Sequence, residues 1–190
     1  MRSDARGRPF GPLPLLSILL LAAGCGPAEN GTVDGLPAPG QPVVTISDWT
    51  AGTVNRPRPG IAPPTLVDVR TARHEGFDRV VFRFDGARTP GVHVEYIDQP
   101  VRQCGSGNPV QIAGDAWLEI RLEPSNAHTQ QGQPTVTDRE RMPGLPNLKE
   151  LELTCDFEAQ VAWVLGLASP NEYRVLDLEN PARLVVDVQH

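Results

Sequence analysis

From Leu66 onward, apolar side chains recur at every second position, and this period constrains the fold more than any other feature. Val80, Phe82 and Phe84 alternate with Val81 and Arg83, and Val92, Val94 and Tyr96 with His93 and Glu95. Leu118, Ile120 and Leu122 alternate with Trp117, Glu119 and Arg121, and Leu151, Leu153 and Cys155 with Glu150, Glu152 and Thr154. Val161, Trp163, Leu165 and Leu167 form a fifth row, and runs at 173–178 and 183–188 follow. Successive side chains of an extended chain point to opposite sides, so each row buries one face and leaves the other toward water. The gaps hold turn residues: Asp85-Gly86, Pro90-Gly91, Gly105 to Pro109, Gly114-Asp115, Pro143-Gly144 and Asn180-Pro181. Only Asn147 to Glu152 carries a weak helical stripe. Seven or more short strands with such turns predict an all-β domain, either a sandwich or an open barrel. The longest irregular stretch, 124–144, is uncommon in a compact domain and reads as a functional loop.

The N terminus is organised differently. Arg2, Arg6 and Arg8 precede an apolar run, Leu13 to Ala23, that ends in Ala22-Ala23-Gly24-Cys25. This is the order of a secretory signal, and its apolar core is too short for a permanent membrane span. The small residues before the cysteine resemble a bacterial lipoprotein signal, which implies lipidation of Cys25 as the first mature residue. The match departs in one place, since Ala22 stands where leucine is usual and Leu21 lies one earlier. The alternative is a signal cut elsewhere, with Cys25 an ordinary residue.

Residues 26–64 are rich in Pro, Gly, Ala and Thr, which oppose regular pairing. They read as a disordered linker that lifts a domain off the membrane. Within it, Val43 to Ile46 and Trp49 are apolar enough to dock. The expected organisation is therefore a signal peptide at 1–24, a Pro/Gly-rich tether at 25–64 and a β domain at 65–190.

Without residues 1–24 the chain carries 14 basic and 22 acidic side chains, a net charge of −8. Nucleic acid needs a clustered basic surface, so it is a poor partner. An anionic bilayer is equally poor, and membrane attachment has to come from acyl chains. Once Cys25 is assigned to lipid, Cys104 and Cys155 remain. In an exported chain they point to a disulfide, the alternative being two unpaired thiols. Neither has a CxxC partner or a neighbouring histidine, which argues against zinc and thiol redox chemistry.

The last strands, Tyr173 to Val188 with Asn180-Pro181-Ala182 at their turn, resemble the signature of AMIN domains. Phe77-Asp78-Arg79-Val80-Val81-Phe82 fits the opening strand of the same pattern. From Trp49 the chain is similar to the AMIN-like domain of actinobacterial lipoproteins. The supporting pieces are Val67 to His74, Val94 to Asp98, Gly105-Ser106-Gly107, Ala127-His128 and Phe157-Glu158. Gly76 stands where relatives can carry cysteine, so no disulfide pattern is taken from them. The resemblance implies a β-sandwich that binds or organises cell-wall material, with peptidoglycan the expected ligand and no chemistry of its own. The expected place is the outer face of the cell membrane, held by lipid on Cys25. An alternative is a subunit or chaperone-like partner in an envelope complex, using a sheet edge for strand addition.

Four residues are candidates for ligand binding: Trp117, Arg121, Arg183 and Asp187. Trp117 sits on an otherwise polar strand face, where an indole can stack on a sugar or pack under the tether or long loop. Arg183 and Asp187 share a strand face with Val185 and can grip a polar ligand or brace the last strand. His93 and Glu95 share a face, but a metal needs three or four ligands and no second cluster is visible. Ser106 lies in a Gly-rich turn without the elbow that exposes a nucleophile. The expectation is a protein with no catalytic residue, metal or cofactor.

Overall fold

The alternating rows become strands whose apolar sides face one another across two sheets. The computed structural model describes residues 43–190, of which Val43 and Val44 are described by backbone alone. Signal, Cys25 and residues 26–42 of the expected tether lie outside the described residues. The strands are β1 (Val43–Ile46), β2 (Val54–Arg56), β3 (Thr65–His74), β4 (Phe77–Asp85) and β5 (Gly91–Ile97). Then come β6 (Val101–Arg102), β7 (Pro109–Val110), β8 (Ala116–Glu123) and β9 (Glu140–Arg141). The last four are β10 (Leu148–Phe157), β11 (Gln160–Leu167), β12 (Tyr173–Leu178) and β13 (Arg183–Gln189). The first sheet has the order β1-β12-β13-β4-β3 and the second β2-β5-β8-β11-β10-β9, while β6 and β7 form a separate hairpin. All strand pairs are antiparallel. The protein is an all-β sandwich.

The rows read from the sequence form the core. Phe82 and Phe84 of one sheet share it with Leu118, Ile120, Leu122, Trp163 and Leu165 of the other, all at 0–1 % exposure. Phe82 and Trp163 stack at a tilt, their centroids 6.2 Å apart. Each side chain of this size contributes roughly 1.5–3 kcal/mol on burial. Tyr173 crosses the core and donates its hydroxyl to the Val94 carbonyl at 2.8 Å. Burial pushes the phenols of Tyr173 and Tyr96 up to about 12, so both remain neutral donors.

Three expectations need correction. The described part of the expected tether, 43–64, is built into the sandwich. β1 pairs with β12 and β2 with β5, and Arg56 and Arg58 reach the buried Asp177 at 2.8 and 3.4 Å. Prolines 57, 59, 63 and 64 fall in the connection between β2 and β3, where no ladder hydrogen bond is lost. The weak helical stripe at 147–152 is strand from Leu148 onward: buried Asp78 accepts the Asn147 and Leu148 N–H groups at 2.7 and 2.8 Å and fixes the start of β10.

The third correction concerns the side on which Cys155 lies. Its alternation with Leu151 and Leu153 placed it in the core row. A bulge leaves Thr154 unpaired between Leu153, opposite Trp163, and Cys155, opposite Ala162. The extra residue turns Cys155 to the outer face. There it forms a disulfide with Cys104, with Cα atoms 5.2 Å apart. Cys104 N–H also donates to Thr154 O at 3.0 Å, so the bulge and the bridge are one device.

The long 124–144 loop closes the open edge between the sheets. Ala127 and Val136 are core residues, and Thr135 Oγ1 donates to Leu66 O at 2.6 Å. His128 Nδ1 lies 2.7 Å from Asp156 Oδ1, and Arg139 Nη2 lies 3.1 Å from Asp156 Oδ2. These contacts make the loop part of the structural framework.

Candidate ligand-binding face

The outward positions of the second sheet divide into two halves. Toward one end stand Ile97 of β5, Trp117 of β8 and Val164 and Gly166 of β11. The segment from residue 98 to 115, with the β6–β7 hairpin, lies over them. Val101 and Ile112 pack on Val164, joined by Ile97, Val110 and Trp117. Gly166 permits this approach: a Cβ there would lie 1.9 Å from the Ala113 carbonyl oxygen. Ala113 N–H donates to Glu150 Oε2 at 2.7 Å, and the disulfide ties the hairpin to β10.

Toward the other end the outward positions are polar and uncovered by that segment. Registered across the strands are Asn55, His93, Arg121 and Ala162, and beyond them Gly91 with Glu123, while Pro57 follows β2 and Gln160 opens β11. All of these but Ala162 line an open cleft of about 370 Å³, walled also by Arg58, Pro59, Val92 and Pro124. Arg121 lies 2.7 Å from Glu95 and 3.1 Å from Glu119, and His93 lies 3.0 Å from Glu95. Burial raises the Glu119 carboxyl above its usual range, with Arg121 pulling the other way. Arg58 is held by Thr89 Oγ1 at 2.7 Å, and Thr89 in turn donates to Asp177 at 2.7 Å. A loop arginine is thereby fixed over the cleft by buried groups.

The β10–β11 turn leads into Gln160 of the lining. Glu158 and Ala159 sit at φ +50° and +59°, the geometry of a two-residue hairpin turn that normally favours glycine or asparagine. Ser125 N–H donates to Ala159 O at 2.7 Å, bringing this turn to the edge that carries Pro124. Phe157 pairs with Gln160 across the turn, and 58 % of Phe157 is exposed. It is one of three exposed large apolar side chains among the described residues, the others being Ile46 and Met142.

The four candidates do not come together. Arg121 alone lines the cleft. Trp117 belongs to the covered half, donating its indole N–H to Ile112 O at 3.1 Å. Asp187, at 0 % exposure, lies on the first sheet between Arg79 at 2.6 Å and Arg174 at 2.9 Å. Arg174 stacks over Trp49, 4.5 Å from the ring centroid, so the predicted docking plug is a lid on this ion pair. Arg183, opposite Arg83 on the same sheet, donates to Pro181 O at 3.3 Å. Sequence reasoning missed Asn55 and Arg58, which were assigned to the tether, and Gln160 and Phe157. The latter two carried a signal: they flank a turn without glycine.

Among the described residues no helix is long and apolar enough to cross a membrane, and no group of three or more potential ligands is placed to hold a metal ion. The fold is a β-sandwich with one sheet face half covered by its own chain and half open. The family model of the AMIN-like domain matches residues 64–190, and the chain belongs to that family. AMIN-like domains are extracytoplasmic binding or scaffolding modules related to peptidoglycan. No curated protein and no solved structure matches the chain.

Proposed function

We propose that this protein is a lipid-anchored module that holds cell-wall material at the outer face of the cell membrane without catalysing a reaction. The observation that carries this reading is the AMIN-like match over a sandwich whose second sheet keeps half of its outer face polar and concave. The signal-like N terminus supplies the rest: acyl chains on Cys25 would provide the attachment that a net charge of −8 on the mature chain does not favour. Two acyl chains anchor stably where one is marginal.

Two measurements test the reading. The wild-type chain partitions with membranes and incorporates labelled palmitate, whereas Cys25→Ser appears in the soluble fraction; equal partitioning of the two overturns the anchor. The detergent-solubilised full chain sediments with purified sacculi. A chain that stays in the supernatant and instead captures one envelope protein in stoichiometric amount replaces wall binding with the subunit reading.

A further inference from the structure

Resting on the reading of this domain as a binding module, we propose that the open cleft is its ligand site and that it takes one unit of a neutral oligosaccharide, with Phe157 as the stacking platform. The lining is rich in side chains that serve hydroxyl and amide groups: Asn55 and Gln160 offer both a donor and an acceptor, and Glu123 accepts. Both arginines of the lining already face carboxylates of the protein, and Glu123 adds a further negative charge. Arg121 is flanked by Glu95 and Glu119, and Arg58 faces Asp177, which it shares with Arg56. A phosphate or carboxylate entering the cleft would therefore compete with carboxylates already in place, whereas an uncharged polar ligand leaves these pairs intact.

The platform makes the choice between a sugar and a peptide. Phe157 is paired with Gln160, so both project from the same face, the face that bears the cleft. A pyranose ring offers an apolar C–H face to an aromatic side chain and equatorial hydroxyls to the neighbouring amides. A peptide is held best at a strand edge, where unpaired backbone groups supply the hydrogen bonds. The cleft lies on a sheet face, and its groups are side chains. At about 370 Å³ it is near the lower limit of small-molecule sites, which suits one sugar unit of a chain lying across the sheet. The turn at Glu158 and Ala159 would hold Phe157 in place before the ligand arrives, which lowers the entropy cost of binding.

The test is titration of the full chain in detergent with tetra-N-acetylchitotetraose, a tetragalacturonate, inorganic phosphate and tetra-alanine, followed by NMR and calorimetry. The neutral sugar shifts resonances of His93, Arg121 and Gln160, and the other probes do not. Phe157→Ala and Gln160→Ala each weaken it by about tenfold, the scale of one lost stacking or hydrogen-bonding contact. Arg183→Ala on the other sheet leaves the affinity unchanged. Phe157→Leu, which keeps the apolar bulk but not the ring, guards against a folding effect, and thermal melts of each variant accompany the titrations. The proposal is overturned when the neutral sugar does not bind, when an anionic probe or the peptide binds in its place, or when neither cleft variant weakens binding. Its failure is separable from that of wall binding: sacculus sedimentation unchanged in Phe157→Ala and Gln160→Ala sinks this site alone. Oligosaccharide binding by a chain that ignores sacculi sinks the wall and keeps the site.

Discussion

The two halves of the second sheet's outer face share the same strands and have opposite fates. Along β5 the outward residues run Glu95 and His93 in the open half and Ile97 in the covered half. Along β8 they run Arg121 and Glu119, then Trp117, and along β11 Gln160 and Ala162, then Val164 and Gly166. The strands thus change from polar to apolar or small outward residues at about the same level. One half binds its own chain, and the other is available to something else. The lesson is that a sandwich face becomes a site where the covering segment ends, and here the disulfide fixes that limit.

The largest effect expected from breaking this division comes from the staple. Cys104→Ser with Cys155→Ser opens a closure between residues 51 apart, worth about 4 kcal/mol in the chain-entropy model. Chemical denaturation of the double variant, and of the wild type under reductant, should show the same loss. Amide exchange should rise in residues 98–115 first and least around His93 and Arg121. Uniform exposure of both halves would show that they are not separate units.

Next in size is Gly166→Ala. The added carbon would meet Ala113 O at 1.9 Å and the Ile112 side chain at 2.8 Å, so the segment over β11 has to lift. Overpacking of this kind costs about 3 kcal/mol, at the upper end for added methyl groups, because the first contact is backbone and not a side chain that can rotate away. A melt near that of the wild type would mean that the segment lies on the sheet less closely than its contacts indicate.

Both effects concern features that the alternating pattern conceals. The seven rows were legible because burial of one face is a simple period, and β4, β5, β8, β10, β11, β12 and β13 follow them. The sandwich followed from those rows with the AMIN-like resemblance, and the Cys104–Cys155 pairing from export. The bulge at Thr154 was not legible, since one unpaired residue leaves no compositional trace. Strand β2 was hidden by the prolines that follow it, which read as linker although Pro57, Pro59, Pro63 and Pro64 occupy only the connection to β3, whereas the apolar run Val43 to Ile46 had marked β1 as a piece able to dock. The site was the least legible part. Trp117 was left open between stacking on a ligand and packing under the tether or long loop, because a sequence does not show that the β6–β7 hairpin returns to cover it. Arg121 was found by alternation alone. Asn55 and Gln160 enter the same cleft from edge and turn positions, where no period marks them.

In the open half, substitutions should cost little stability, and this sharpens the contrast. Arg121 lies 38 % exposed between two glutamates. Partly exposed pairs of this kind contribute about 0.2–1 kcal/mol, so Arg121→Ala should lower stability by no more than about 1 kcal/mol. Its removal also leaves Glu95 and Glu119 facing each other, and burial already raises Glu119. The loss should therefore shrink on acidification, as the raised Glu119 carboxyl takes up its proton. Denaturation at several pH values checks both points, and a loss as large as that of Gly166→Ala would make the open half structural.

The smallest effect falls on the boundary between the halves. Glu152 of β10 accepts from Gln103 of the covering segment at 3.3 Å, and its carboxyl is raised above 4.5 by burial and by Glu140 and Glu150. A raised folded pKa means that the folded protein binds this proton more tightly than the unfolded chain. Its contribution to stability is thus fully present below about pH 4.5 and is lost as pH rises through the raised value. At neutral pH the ionised group is a small liability. Glu152→Gln removes the charge and keeps an acceptor for Gln103, so it should stabilise the protein at pH 7 by no more than about 0.5 kcal/mol. Below pH 4 wild type and variant should converge, because both then present a neutral side chain. A variant less stable than wild type at pH 7 would show that Glu152 supports the covering segment through its charge, and the boundary would then be held by an ion-dependent contact in addition to the disulfide.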